Sequence, residues 1–291
     1  MASKAAKPKA DKPTKTTRRG HGEGTVFFRE DKDLWVSAVT IGGKRRTLYG
    51  KTRKEVQDKK AALEATIIKG TYAEPSKVTV AVWLKKWLEV FVKPKRITTY
   101  ENYECHVRVH ILPALGDKPL QTLRPSDIQR FLNDKQAGGR ADGRPGGLST
   151  RTVRMLHFVL QAALKQAVKE GLIGKNVADD VALPKQGKRK AVYLVTEELE
   201  HFIEVTRKSR HFAAIMTEMG TGLRRGELLG LKWECVDLES KKKTITVRRQ
   251  LVRTRHGPIF HEEPKTDAGY RTITLPDEVV TILKKHKAAQ A

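Results

Sequence analysis

The sequence predicts a multidomain chain, mainly α with small β elements, and three observations predict it. Short β-prone runs separated by turn residues fill residues 24–49, the signal of a few small strands. From Val80 to Ala167 apolar residues recur instead every three and four positions, the stripe of amphipathic helices. Two short linkers, 71–76 and 184–190, interrupt these patterns, and after the second of them helix-like and strand-like runs alternate. The expected order is a basic tail over 1–20, a three-stranded sheet plus helix over 21–72, a helical bundle over 77–180, and part of an α+β domain over 190–291.

Charge narrows the function. The 291 residues hold 58 Lys plus Arg against 33 Asp plus Glu, a net charge of +25. Folded domains with that imbalance repel themselves, and a polyanion relieves the repulsion by releasing its counterions. Nucleic acid is the expected polyanion, although ribosome-associated proteins and heparin binders share the same balance. Cys105 and Cys235 are too far apart to read as a disulfide framework or a zinc site, which fits a reducing cytoplasm. No apolar run approaches the roughly 18 residues of a membrane span, and the basic N-terminus lacks the apolar stretch of a secretory signal. No glycine-rich phosphate loop and no ligand-spaced cluster of acids, His or Cys is present, so neither a nucleotide, a metal nor another cofactor is expected.

Each element has its own signal. Runs 24–28, 34–41 and 45–49 are β-prone, with turn residues at 29–33 and at Gly42-Gly43. Thr52, with Glu55 three residues on, starts a helix that runs to about Lys69. Such a module leaves one sheet face free to enter a DNA groove. Lys44, Arg45 and Arg46 beside the turn suit phosphates or base edges, or else keep an edge strand soluble. Helices are expected over 80–91, over 98–111 with closure by Pro113 and Gly116, from Pro125, and over 149–170; a flexible Gly/Arg-rich loop is expected at 138–147. Lys95, Arg96, Arg151 and Arg154 fall near helix starts, where phosphate is favoured. Helices at 196–208 and 210–220 should lead to strands near 244–248 and 271–275 with a hairpin between them, and then to a last helix after Pro276.

Between these elements lies Thr221-Gly222-Leu223-Arg224-Arg225-Gly226-Glu227-Leu228, followed by Leu231-Lys232-Trp233. Downstream come Pro264-Lys265-Thr266 and Arg271-Thr272-Ile273-Thr274-Leu275-Pro276. This set resembles the first arginine motif and the lysine hairpin of the tyrosine recombinases, the phage integrase family. The resemblance covers nearly the whole chain. It implies an arm-type DNA-binding module at 21–72, a SAM-like core-binding domain at 77–180 and the first part of a catalytic domain at 190–291. It also implies double-stranded DNA as partner, together with further recombinase protomers on that DNA. Arg224 would stabilise charge on a phosphate, Glu227 would fix that guanidinium, and Lys265 would protonate the leaving 5′ oxygen. Alternatively, Arg224 and Glu227 form a surface salt bridge. Arg225 and Arg271 read as solvated or backbone-contacting.

The family pattern is incomplete. None of the nine histidines has Arg three residues on, and the one tyrosine after Arg224 is Tyr270. The chain therefore resembles a C-terminally truncated integrase that binds attachment-type sites without cleaving them. The alternative is a non-enzymatic DNA-binding regulator or prophage remnant occupying such sites.

Overall fold

The computed structural model describes residues 26–187, 193–262 and 269–291. The basic tail expected at 1–20 lies outside these residues. Strands β1 (Val26–Arg29), β2 (Leu34–Ile41) and β3 (Lys44–Gly50) form an antiparallel sheet in that order. Gly42 and Gly43 both take positive φ, 53° and 79°, as a two-residue hairpin that follows the strand twist requires. Helix α1 (Arg53–Ile68) starts where Thr52 Oγ1 accepts the Glu55 N–H at 3.2 Å, while Glu55 reaches back to the Lys51 N–H at 2.8 Å. A Cβ on Gly50 would come within 2.8 Å of Val56 Cγ2, so α1 covers the face that Gly50 shares with Leu48, Arg46 and Lys44. The opposite face carries Arg45, Thr47 and Tyr49, with Val36 and Phe27 in register with Tyr49 across the ladder.

Compactness divides the chain into two units, residues 1–87 with 109–183, and residues 88–108 with 184–291. In the first unit α2 (Val80–Trp87), α4 (Leu112–Leu115), α5 (Pro125–Ala137) and α6 (Thr150–Lys169) pack together. Their stripes supply a core in which Trp83, Leu84, Ile111, Ile128, Leu132, Leu156, Leu160 and Leu164 are fully buried. The Trp83 indole N–H donates to the Ala163 carbonyl at 3.0 Å, which satisfies the polar edge of a buried ring. Residues 71–76, expected as a linker, are held down by Gln121, whose Nε2 donates to the Glu74 and Leu172 carbonyls. The loop at 138–147 has no regular structure.

The second unit holds α3 (Ile97–His106), α7 (Thr196–Thr206), α8 (Phe212–Thr221), α9 (Arg225–Leu229) and α10 (Asp277–Gln290). Strands β4 (Val236–Asp237), β5 (Thr244–Val247) and β8 (Arg271–Thr274) form one sheet with β5 central, and β6 (Gln250–Thr254) pairs with β7 (Gly257–His261) in a separate hairpin. Ile245, Val247, Leu275, Val279, Val280 and Leu283 form its core with Leu223 and Leu238. Among the described residues no helix is long and apolar enough to cross a membrane.

Two details differ from the sequence expectation. The helix expected to end at Ile111, closed by Pro113 and Gly116, continues to Leu115 and stops at Gly116, because residues 107–111 turn π-helical and Pro113 then falls in the opening turn of α4, where a missing N–H costs little. Residues 88–92, expected as plain α-helix, are π-helical as well.

Candidate phosphate site and nucleic-acid interface

The arginine motif is built at a helix break. Helix α8 ends with Gly222 at φ 62°, its N–H on the Glu218 carbonyl at 2.8 Å, a left-handed cap that glycine adopts without steric cost. Leu223 turns inward to the core, and Arg224 turns outward with 76% of its side chain exposed. Arg224 immediately precedes α9, which has only five residues, so the guanidinium itself supplies the positive charge.

Helix α9 lies against β6 with no room for side chains between them. A Cβ on Gly226 would sit 2.9 Å from the Leu251 carbonyl oxygen, and one on Gly230 would sit 2.9 Å from Gln250 Cα. That approach seats Glu227 at 5% exposure. Its carboxylate accepts four hydrogen bonds: the Arg224 N–H at 3.0 Å, Arg224 Nη1 at 2.8 Å, Arg271 Nη1 at 3.2 Å and Arg271 Nη2 at 2.7 Å. Burial pushes the Glu227 carboxyl upward, but the hydrogen bonds from Arg271 and Arg224 outweigh it and hold the group at about 2. The Arg271 guanidinium is raised by the same hydrogen bonds. At the far end of α9, Arg249 Nε donates to the Gly230 carbonyl at 2.6 Å while its guanidinium lies 4.3 Å from the centre of the Phe260 ring.

Arg271 corrects the sequence reading. It is neither solvated nor limited to backbone contacts, but forks both oxygens of a buried carboxylate. A signal was available: in Arg271-Thr272-Ile273-Thr274-Leu275 the period of two puts Arg271 on the face of Ile273 and Leu275, where a cation needs a partner. The reading of Arg224 and Glu227 as an exposed surface bridge is half right, since the pair exists but its acid is buried. Two guanidiniums around one carboxylate leave the cluster net positive, with Arg224 as its open edge.

The other basic residues separate. Lys44 and Arg46, grouped with Arg45 in the sequence, lie on the helix-covered face and pair with Glu74 at 3.4 and 3.6 Å. Arg45 stands on the open face. Lys95 and Arg96 are exposed immediately before α3, and Arg151 is exposed in the first turn of α6, with Arg154 half-buried one turn on. Lys265 lies outside the described residues.

Known proteins resemble this chain along most of its length. Residues 79–136 match the family model for the phage integrase N-terminal SAM-like domain. A "Tyrosine recombinase XerC-like" protein of Caldanaerobacter subterraneus is 29% identical over 288 residues, covering 91% of this chain and 71% of that protein. An integrase of Streptomyces ambofaciens is 26% identical, covering 92% of this chain and 69% of its own length. Among solved structures, the Tn1549 transposon integrase in complex with a circular intermediate DNA matches with a TM-score of 0.60 and 26% identity, covering 72% of this chain. The same integrase with transposon right end DNA gives a TM-score of 0.59 at 27% identity. This chain spans 64% of the length of either of those integrase chains. The motif, the fold and these relatives agree: over most of its length the chain is similar to tyrosine recombinases and integrases, with a phage integrase SAM-like domain matched at residues 79–136.

Proposed function

We propose that this chain binds duplex DNA at attachment-type sites in site-specific recombination, with Arg224 facing a backbone phosphate. The observation that carries this reading is an exposed guanidinium held by a buried, doubly clamped Glu227 at the family's arginine motif. A planar guanidinium matches two non-bridging phosphate oxygens, and such a contact stabilises charge that builds on them. Charge of +25 and the DNA bound in the Tn1549 integrase complexes that this chain resembles support the polyanion. Residues 21–72 would act as the arm-type module, 77–180 as the core-binding domain and 190–291 as part of the catalytic domain. Lys265 matches the position of the general acid in the family's motif, further recombinase protomers would share the DNA, and the complex would form in the cytoplasm.

Within these 291 residues no His-x-x-Arg occurs, and the tyrosine after Arg224 is Tyr270, 51% exposed beside Arg271 at the start of β8. The second reading is a non-enzymatic occupant of attachment-type sites that assists or blocks a complete recombinase. On either reading this polypeptide forms no covalent adduct with DNA. The test is a nicked suicide duplex carrying the attachment sequence, resolved under denaturing conditions. The expected result is free DNA alone; a denaturant-resistant protein–DNA band that disappears in Tyr270→Phe would overturn it.

A further inference from the structure

We propose that Arg271 is a positioning residue for phosphate contact: by occupying the buried Glu227 carboxylate, it keeps the neighbouring Arg224 guanidinium positively charged in effect and open to DNA. The inference rests on the reading of Arg224 as a phosphate contact. Glu227 carries one negative charge, and each of its oxygens accepts from both arginines, counting the Arg224 main-chain N–H. The two guanidiniums are not equivalent. Arg271 makes the two-point contact, at 2.7 and 3.2 Å, and 30% of its side chain is exposed. It is anchored in a strand paired with β5, and its Nη1 also reaches the Gly269 carbonyl at 3.5 Å. Arg224 gives Glu227 a single side-chain N–H, from Nη1, and 76% of its side chain is exposed.

Charge balance makes this asymmetry consequential. With Arg271 in place the cluster of two cations and one anion is net positive, and that charge is expressed at the exposed guanidinium. Without Arg271 the same carboxylate, still largely buried and short of donors, would draw Arg224 into a two-point pair. The pair would be neutral, and its fork would be turned away from a phosphate. Arg271 thus acts through Glu227 on Arg224 without touching DNA itself. The alternation that puts Arg271 on the face of Ile273 serves this geometry as well as the core.

The test measures affinity of the full chain for a mixed-sequence duplex by fluorescence anisotropy across a salt series, below the melting transition of every variant. Arg224→Ala is expected to weaken binding about tenfold and to reduce the salt slope by about 0.9, the loss of one phosphate contact. Arg271→Met is expected to reproduce that loss although Arg224 is present, and Arg224→Ala added to it is expected to cost no more. Glu227→Gln in the Arg271→Met background should restore binding, because the carboxylate that captures Arg224 is gone. Arg271→Lys should retain most of the affinity. Normal DNA affinity in Arg271→Met, with only a lower melting temperature, would show a purely structural role and overturn the proposal. Failure of Glu227→Gln to restore binding would overturn it too, by showing that Arg271 itself touches DNA. If Arg224→Ala alone binds like the parent chain, the phosphate reading of Arg224 fails first, and the proposal falls with it.

Discussion

Replacing Glu227 with glutamine is expected to lower the unfolding free energy at pH 7 by about 3 kcal/mol. The acid is 5% exposed and receives N–H groups from two arginines, so its removal leaves two guanidiniums facing a neutral amide with poorer acceptors. Its pH dependence gives the prediction a sharper form. The carboxyl is held at about 2 in the folded chain, below its ordinary value near 4.5. A depressed pKa stabilises the fold fully above the unfolded-state value and loses that stabilisation as pH falls through the folded one. The gap between parent and Glu227→Gln should therefore be constant above about pH 5, narrow below it, and close near pH 2. Urea unfolding followed by circular dichroism over that range measures it. An equal gap at pH 7 and pH 2.5, or none at pH 7, would show that Glu227 does not hold the arginines in solution.

Affinity for duplex DNA should fall about a thousandfold between 50 and 200 mM salt. Lys44 and Arg46 pair with Glu74, and the proposed phosphate contacts are Arg45, Lys95, Arg96, Arg151, Arg154 and Arg224. Six contacts give a log–log slope of about −5. Anisotropy titrations measure it directly. Lys44→Ala should change the slope little, whereas Arg45→Ala should make it shallower by about one unit. A parent slope shallower than about −2 would mean that the chain's charge is a solvated surface and not a DNA footprint.

Much of the fold was legible because period and punctuation agreed. Gly42-Gly43 required a two-residue hairpin, Thr52 with Glu55 marked a helix start, and the stripe from Val153 to Ala167 could be buried only by other helices. The π-helical turns at 88–92 and 107–111 were not legible, because a one-residue register shift leaves the apolar spacing almost unchanged. The site was half legible. Arg224 and Glu227 are three residues apart, so their pairing follows from chain geometry. Arg271 reaches Glu227 across 44 residues and two strand pairings, a meeting that no local pattern reports. Lys44 and Arg46 were grouped with Arg45 because they adjoin it in sequence, but alternation along a strand sends neighbours to opposite faces.

The distance from the Arg224 guanidinium to the nearest DNA phosphate, in a structure of this chain on duplex DNA, tests the phosphate site most directly. The expected result is a non-bridging oxygen at about 2.9 Å, with Arg271 still on Glu227. DNA bound elsewhere, with Arg224 pointing into solvent or closed onto Glu227, would contradict it.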